Sequence, residues 1–381
     1  MTEDNRENPD TSGASLPGVY IHVPFCKTKC PYCDFYSITD TSLADKWAEQ
    51  ISREILLYKG TYGTFDSIYI GGGTPTILEA GHLEIIFEAL FSGFAFSGDT
   101  EITFEANPDD VTRDKLHDLK VLGINRISIG VQSFNEAELD FLQRRHTVSG
   151  AVDAIRLVKD EGYNNLSIDL MYGLPGQSIK DWAYSLEKAV SFAPAHLSCY
   201  QFTLEDRTPY GKLKTEGKLI TATEEEEREF FLFTSDFLEH KGYIHYEISN
   251  FAHSEVFYSR HNMKYWQHIP YLGLGPAAHS FMENKRWWNT RSVDEYCRML
   301  DKGEKPLEGM EELSQDQLRL ERLFLGFRTK IGVGLNDIPD KPESKKTLLY
   351  LEEKGMVRVV EDRIIPAKMG FLFADRLPLM F

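Results

Sequence analysis

Strand-like and helix-like segments alternate over residues 18–205, and this alternation constrains the fold more than any other feature of the chain. The strand-like runs are GVYIHVPF, FDSIYIGGG, EITFEANP, RISIGVQSF, NLSIDLMYGLPG and HLSCYQFTLE. Helical patterns of ten or more residues separate them, which is typical of βαβ units and a parallel sheet. Six strands are too few to close an eight-stranded barrel, so the pattern predicts an α/β fold built on a partial, six-stranded parallel (βα)6 barrel.

The rest of the chain divides into three segments. Residues 1–17 are polar and acidic and lack the basic and apolar regions of a secretory signal, so we predict a disordered lead. Residues 206–312 begin with a long amphipathic helical pattern and continue through a strand-like run into an aromatic, loop-like region that contains HNMKYW. Residues 313–381 show helix, turn, helix and hairpin, which predicts a smaller C-terminal α+β domain with a winged-helix-like end.

The charge balance excludes some partners. A net charge of −17 disfavours nonspecific binding to nucleic acids or anionic membranes. Residues 313–381 carry 12 Lys and Arg against 10 Asp and Glu, too even a balance for a phosphate-binding face, so the winged-helix-like end is interpreted as structural or partner-facing. We find no apolar run near 18 residues. The sequence therefore predicts a cytoplasmic protein with no nucleic-acid partner and no transmembrane segment.

Three of the five cysteines, Cys26, Cys30 and Cys33, follow the first strand-like run within eight residues. In a reducing cytosol such a cluster is more typical of metal binding than of a disulfide. A structural zinc site is the alternative, but it needs a fourth ligand and no second CxxC motif is present; the candidate, His22, lies four residues before Cys26 in a strand-like run. Three thiolates on an iron–sulfur cluster leave one iron open, as a catalytic metal requires. Cys199 and Cys297 are expected to pack as small hydrophobic side chains.

Glycines and polar side chains stand at the ends of the strand-like runs. In YIGGGTPT the glycines either permit a tight turn or let a ligand lie against the backbone. Glu105, Gln132, Arg144 and Asp169 lie at or just beyond the ends of later runs, where α/β barrels form their sites. Each alone would serve equally well as a solvated cap. Together, a carboxylate can hold ribose hydroxyls and an arginine can pair with a ligand carboxylate.

These motifs resemble the radical S-adenosylmethionine (SAM) superfamily, and within it the family of oxygen-independent coproporphyrinogen III oxidase (HemN) and its relative HemW. The resemblance rests on YIHVPFCKTKCPYCDF, GGGTPT, EANP, GVQSF, DLMYGLPGQ and HNMKYW, and covers nearly the whole chain from about Gly18. It implies a radical SAM barrel over residues 18–205, and Cys26, Cys30 and Cys33 as ligands of a [4Fe–4S] cluster whose open iron binds SAM. The residues implied to contact SAM are Tyr20, Tyr32, Gly72, Gly73, Thr74, Glu105, Gln132, Arg144 and Asp169.

The two branches of this family differ two residues after the third cysteine. The oxidase branch has a further cysteine there, whereas this chain has Phe35, and CPYCDF with HNxxYW is the HemW form. The resemblance therefore implies a heme chaperone of porphyrin metabolism, which binds heme and delivers it to acceptor hemoproteins, including membrane-bound respiratory enzymes. SAM binding is implied, and SAM cleavage is left open. The alternative is a coproporphyrinogen III oxidase that decarboxylates propionate side chains by radical chemistry.

The HNMKYW motif supplies the heme contacts that the resemblance implies, namely His261, Asn262, Tyr265 and Trp266. Imidazole is a good axial ligand of heme iron, and aromatic rings can cover the macrocycle. The same aromatic rings would serve equally well in a core or a domain interface. The identity of the iron ligand stays open among His261, His245, His253, His268 and His279.

Overall fold

The computed structural model describes residues 15–381. Of the predicted disordered lead, residues 1–14 lie outside the described residues. The carbonyl of Leu16 accepts a hydrogen bond from Lys264 Nζ (2.7 Å), and the carbonyl of Pro17 accepts one from the amide of Asp66 (3.2 Å). These two hydrogen bonds hold residues 16–17, which directly precede the first strand, against the folded chain.

Six parallel strands form the centre of the sheet. They are β1 (Gly18–Val23), β2 (Thr64–Gly72), β3 (Ala95–Ala106), β4 (Arg126–Gln132), β5 (Asn165–Tyr172) and β6 (His196–Gln201). The connecting helices are α1 (Ala44–Leu57), α2 (Ala80–Gly93), α3 (Arg113–Val121), α4 (Glu136–Phe141), α5 (Val148–Asp160) and α6 (Ile179–Ser191). Each strand pairs with the next in chain order, and all five pairings are parallel. The predicted α/β fold and its six parallel strands are confirmed.

The packing follows from the apolar pattern. In β1, Val19, Ile21 and Val23 alternate along the strand and are fully buried. On α1, Trp47 and Ile51 lie one helical turn apart and are also fully buried. Strands and helices that each bury one apolar face produce the continuous core that holds the carboxyl ends of the strands together.

Residues 206–312 extend this sheet at both edges. Their elements are α7 (Pro209–Thr215), α8 (Glu224–His240), β7 (Ile244–Glu247), β8 (Asn250–Ala252), α9 (Arg260–Trp266), β9 (Tyr271–Leu274), β10 (His279–Met282), β11 (Lys285–Asn289), α10 (Val293–Asp301) and β12 (Leu307–Glu312). Strand β9 lies parallel to β1 and begins an antiparallel extension through β10, β11 and β12, while β8 and β7 follow β6. The region predicted to be loop-like therefore contains one helix and three strands, and that prediction was wrong.

Residues 313–381 form a second, smaller core. Their elements are α11 (Gln315–Gly326), β13 (Val333–Gly334), α12 (Pro342–Glu353), β14 (Val357–Val360), β15 (Arg363–Pro366) and α13 (Lys368–Phe371). The three strands form an antiparallel sheet around Leu323, Phe327 and Leu351, in the helix, strand, helix, hairpin order of a winged helix. An isolated bridge between Glu247 and Thr329 links this unit to the large sheet. Within the described part of the chain, no helix combines the length and apolar character needed to cross a bilayer.

Candidate metal and cofactor site

Cys26, Cys30 and Cys33 lie in the loop between β1 and α1 and line one cavity of about 60 Å³. The loop is held in place by the amide of Cys26, which donates to the carbonyl of Ile38 at 2.9 Å. The cavity wall also includes Tyr32, Gly73, Thr74, Asn107, Arg144 and Arg145. Four of the residues implied to contact SAM, namely Tyr32, Gly73, Thr74 and Arg144, therefore lie beside the cysteines.

Two of the three sulfurs accept a side-chain hydrogen bond. Thr74 Oγ1 donates to Cys26 Sγ (3.5 Å), and Arg144 Nη1 donates to Cys30 Sγ (3.7 Å). Burial raises the pKa of the Cys33 thiol to about 11, and the backbone of Phe35 opposes this shift. Hydrogen-bond donors favour the thiolate, which is the form that binds metals.

The donor set fits an iron–sulfur cluster. Among residues 15–381, no group of three or more His, Cys, Asp or Glu side chains converges on a position for a single metal ion. In a cubane each thiolate binds a different iron, so the three sulfurs surround a cage rather than a point. Cys199 and Cys297 are buried in the hydrophobic core, as predicted.

The glycine motif at the end of β2 is hydrogen-bonded to the backbone of residues 23–25, which directly precede the first cysteine. Gly72 has a φ of 108°, which side chains disfavour. A Cβ on Gly73 would lie 2.5 Å from the carbonyl oxygen of Phe25. The amides of Gly73 and Thr74 donate to the carbonyls of Val23 and Phe25, both at 2.7 Å. These glycines therefore serve the turn and the close backbone approach, and Gly73 also lines the cavity.

Glu105 adjoins this motif from β3. One oxygen accepts from Tyr69 Oη (2.7 Å) and the other accepts from the amide of Gly72 (3.1 Å). Burial raises the pKa of Glu105 to about 7, and Asp169 adds to the shift by repulsion. The carboxyl group is therefore held beside the backbone turn that the resemblance assigns to SAM.

Arg144 and Gln132 meet at the end of β4. Arg144 Nη2 donates to the carbonyl of Gly130 (2.9 Å), and Gln132 has a φ of 69° that costs strain in a residue with a side chain. The Nε of Arg144 is buried and has no hydrogen-bond partner among the described residues. An arginine that lines the cluster cavity is suited to a ligand carboxylate.

Asp169 and Tyr20 lie away from the cavity wall. Asp169 is inside β5 rather than at its end, and accepts hydrogen bonds from Ser128 Oγ (3.0 Å) and Ser167 Oγ (3.2 Å). Burial raises its pKa. Tyr20 Oη hydrogen-bonds to Nδ1 of His22 (3.0 Å), and its ring stacks on His261 at 6.2 Å between centroids. Tyr20 therefore contacts α9, whereas Asp169 is bound to serines of β4 and β5.

The histidine of HNMKYW is enclosed. His261 is 1% exposed, with Nδ1 at 3.1 Å from Ser67 Oγ and Nε2 at 2.9 Å from Tyr265 Oη. Burial lowers its pKa to about 3. In the same helix the amide of Asn262 donates to Ser259 Oγ (3.4 Å), and Trp266 packs beside Met263. The motif thus seats α9 against β1 and β2, with both ring nitrogens of His261 already bonded.

The other candidate iron ligands differ in exposure. His245 is buried, with Nδ1 at 3.0 Å from Ser235 Oγ, and Nε2 of His268 is paired with Glu321 at 3.2 Å. By contrast, His253 and His279 are exposed. Each stacks on an aromatic ring: His253 on Tyr243 at 4.0 Å and His279 on Trp288 at 5.9 Å. These two imidazoles are accessible to a ligand without a rearrangement.

A buried hydrogen-bond chain joins Asp169 to the start of α9. Ser167 Oγ links Asp169 (3.2 Å) to Nδ1 of His196 (2.8 Å). Nε2 of His196 bonds Tyr246 Oη (2.8 Å), which accepts from the amide of Ser259, the N-cap of α9 (3.1 Å). A relay of hydrogen bonds through Ser167, His196 and Tyr246 therefore connects Asp169 with the HNMKYW helix.

Sequence reasoning missed three residues around the site, for which weak signals existed. Asn107 belongs to the EANP motif, in which only the glutamate was considered. Arg145 follows Arg144 directly and binds the buried carboxylate of Asp110. Tyr69 falls on an inward-facing alternate position of β2, which the period of a strand could have shown.

The fold and the three-cysteine cavity define a radical SAM protein. The model of the Radical SAM superfamily matches residues 20–189, and the superfamily implies a [4Fe–4S] cluster and bound SAM. The chain is 31% identical over 372 residues to the heme chaperone HemW of Bacillus subtilis, covering 95% of this chain and 98% of the relative. It is 34% identical to the heme chaperone HemW of Synechocystis, covering 90% and 85%. The chain belongs to the HemW family.

A solved structure shares the whole fold. Coproporphyrinogen III oxidase (HemN) from Escherichia coli matches with a TM-score of 0.82 at 22% identity, covering 96% of this chain and 90% of that chain. At this identity the likeness shows the fold alone. The family resemblance recognised in the sequence is confirmed, with HemW as the branch.

Proposed function

We propose that this protein is a cytoplasmic heme chaperone, which binds heme and delivers it to acceptor hemoproteins, among them membrane-bound respiratory enzymes. The observation that carries the proposal is the identity of 31% over 95% of the chain to a protein named as a heme chaperone. The match covers 95% of the chain and so includes both the cysteine cavity and the HNMKYW helix. The proposal therefore does not depend on the barrel alone.

The position of Phe35 supports this proposal over the oxidase alternative. The oxidase branch carries a cysteine two residues after the third cluster cysteine, and this chain presents there a phenylalanine that is 65% exposed. The shared fold with an oxidase does not favour that activity, because one fold hosts many functions. We therefore expect no conversion of coproporphyrinogen III.

We further propose that HNMKYW contributes to heme binding by positioning α9, and that an exposed imidazole, His279 or His253, ligates the iron. Both nitrogens of His261 are occupied inside the sheet. His279 instead lies at the surface on the ring of Trp288, which supplies a flat apolar neighbour for a macrocycle.

Titration of the purified, cluster-loaded protein with hemin tests the function. Wild-type protein should bind heme and transfer it to an apo-hemoprotein such as apomyoglobin, without forming protoporphyrinogen from coproporphyrinogen III. Changing His261, Asn262, Tyr265 and Trp266 together to alanine should weaken heme binding and leave the iron of the cluster in place. Robust decarboxylation by the wild type would move the chain to the oxidase class, and failure to bind heme would refute the chaperone.

Single histidine substitutions identify the axial ligand of the heme iron. Loss of the axial-ligand signature in the heme spectrum of His279→Ala or His253→Ala, with His261→Ala unchanged, is the expected result. The converse result, with only His261→Ala altering the spectrum, would assign the iron to the buried ring and contradict the positioning role.

A further inference from the structure

Asp110 is a buried carboxylate beside the candidate site. It ends the single turn Pro108–Asp110, which follows β3, and its side chain is 3% exposed. An aspartate is almost never buried to this degree unless it is paired. Asp110 is not part of the described cavity wall, so contact with a ligand there does not account for its burial. The partners of Asp110 therefore show what this carboxylate does.

Two cations from separate segments of the chain bind Asp110. Lys27 Nζ donates to Oδ1 at 2.6 Å, and Arg145 Nη2 donates to Oδ2 at 2.5 Å, so each carboxylate oxygen has its own cation. Lys27 directly follows Cys26 in the cysteine loop. Arg145 directly follows Arg144 in the segment between α4 and α5. Asp110 therefore joins the loop that carries the cysteines to the segment that carries Arg144.

The turn that carries Asp110 is itself held in place. The amide of Asp110 donates to the carbonyl of Asn107 at 3.0 Å, and the side chain of Asn107 accepts from the amide of Asp109 at 3.3 Å. The amide of Asn107 donates in turn to Thr76 Oγ1 at 3.4 Å, and Asn107 lines the cavity. A carboxylate on a turn fixed in this way can hold its two partners at defined positions.

Both segments that Asp110 joins contribute to the cavity. The loop supplies the three cysteines, and Arg144 Nη1 donates to Cys30 Sγ at 3.7 Å. The family resemblance also implies that Arg144 contacts SAM. The two cations are partly exposed, with 52% of the Lys27 side chain and 26% of the Arg145 side chain accessible to solvent. Without Asp110 water would hydrate both cations, and neither segment would keep this attachment to the turn.

We propose that Asp110 is a positioning residue of the radical SAM site, which holds the cysteine loop through Lys27 and the segment between α4 and α5 through Arg145. We call these two contacts the Asp110 bridge. The bridge fixes the separation between the cluster thiolates and the Arg144 guanidinium. This separation matters because SAM must reach the open iron and the arginine at the same time. The inference concerns the cluster and SAM and does not rest on the proposed heme function.

The first measurement is equilibrium binding of SAM to cluster-loaded protein. Asp110→Asn keeps the shape of the side chain but replaces one acceptor oxygen by an amino group, which cannot accept from a cation. This variant should bind SAM about tenfold more weakly, the lower end of the loss expected for a charge-assisted hydrogen bond. Asp109→Asn is the matched control, because Asp109 lies in the same turn and is exposed. The control should bind SAM as the wild type does.

Variants of the two cations test the two contacts of the Asp110 bridge separately. Arg145→Met should weaken SAM binding about as much as Asp110→Asn, and the double variant should bind no more weakly, since both changes break the same contact. Lys27→Met should leave SAM affinity unchanged, because three thiolates hold the loop once the cluster is bound. In cluster-free protein the amide of Cys26 donates to the carbonyl of Ile38 at 2.9 Å. Hydrogen exchange at this amide should be about tenfold faster in Lys27→Met and Asp110→Asn and unchanged in Arg145→Met.

Three results would overturn the proposal. Losses that multiply in the double variant would assign Arg145 a contact of its own with SAM. Equal losses in Asp109→Asn, or SAM affinity that ignores the change of Asp110, would remove the positioning role. If Asp110→Asn does not take up the cluster, Arg145→Met and Lys27→Met still decide, because each removes only one partly exposed cation. Identical effects of these two variants on SAM affinity and on hydrogen exchange would reduce Asp110 to general stabilisation of the fold and refute the bridge.

Discussion

A methyl group added at Gly73 tests whether the glycine motif is required for the backbone to approach the cysteine loop. The new Cβ would lie 2.5 Å from the carbonyl oxygen of Phe25 and 2.8 Å from that of Val23. Both neighbours are backbone atoms, so no flexible side chain can move aside. The hydrogen bonds of Gly73 and Thr74 to those same carbonyls, at 2.7 Å each, would have to lengthen.

The magnitude follows from these contacts. Restoring an ordinary separation of about 3.4 Å requires a backbone shift of about 1 Å, which disturbs two hydrogen bonds worth about 1 kcal/mol each. Overpacking adds about 1–3 kcal/mol. We therefore expect Gly73→Ala to lower the free energy of unfolding by about 3–5 kcal/mol in total. Because Gly73 also lines the cavity, the affinity of the reconstituted protein for SAM should fall too.

Urea unfolding of cluster-free protein measures the stability effect, and Gly81→Ala is the matched control. No described atom lies within 4 Å of a Cβ at Gly81, which is in the first turn of α2, so this change should be neutral or should stabilise by up to about 1 kcal/mol. If the two variants unfold within about 0.5 kcal/mol of each other, a difference typical of neutral surface changes, the close-approach argument is refuted.

Three further changes address the ligands and the charges of the site. Cys30→Ser should lose the cluster, measured as iron per chain after anaerobic reconstitution, whereas Cys199→Ala should keep it; full iron in Cys30→Ser would remove the ligand assignment. Arg144→Ala should weaken equilibrium SAM binding by about tenfold or more, since a charge-assisted hydrogen bond is worth about 1.5–3 kcal/mol, with iron content unchanged. The pKa of Glu105 is raised from 4.5 to about 7, so its contribution to stability is complete below pH 4.5 and is lost as pH rises through 7. The free energy of unfolding of cluster-free Glu105→Gln should consequently fall less steeply over this pH interval, and an unchanged slope would contradict the burial of the carboxyl.

The sequence predicts those elements of the fold in which buried residues recur at regular positions. Strands such as β1, with Val19, Ile21 and Val23 on the core, combine an apolar pattern with a following helix, and this pairing identifies parallel strands from local sequence. Strand β9 was not predictable in this way. It has four residues and pairs with β1 from more than 240 positions away, so its state is decided by the partner rather than by its own pattern.

The sequence predicts which residues belong to the site better than it predicts where each of them lies along its strand. The cysteines, Gly73 and Arg144 meet because strand ends of a parallel sheet share one edge. The resemblance implied that Tyr20 contacts SAM, yet Tyr20 lies near the middle of β1. It precedes His22 by two residues, which at a strand rise of about 3.3 Å per residue places it about 7 Å farther from the carboxyl end of the strand. Motif membership identifies which residues belong to a site, whereas depth along the strand depends on where the strand begins and ends.

The enclosure of His261 favours one of two proposed roles for the HNMKYW helix. To reach a heme iron, the ring must give up its hydrogen bonds to Ser67 and Tyr265, which costs about 2 kcal/mol. It must also leave the rings of Tyr20 and Tyr69, at another 1–2 kcal/mol or so. A total of about 3–4 kcal/mol lowers heme affinity a few hundred-fold relative to an imidazole that is already free. His279 incurs no such cost, so ligation by an exposed histidine, with α9 held in place by His261, is the arrangement that the energetics favour.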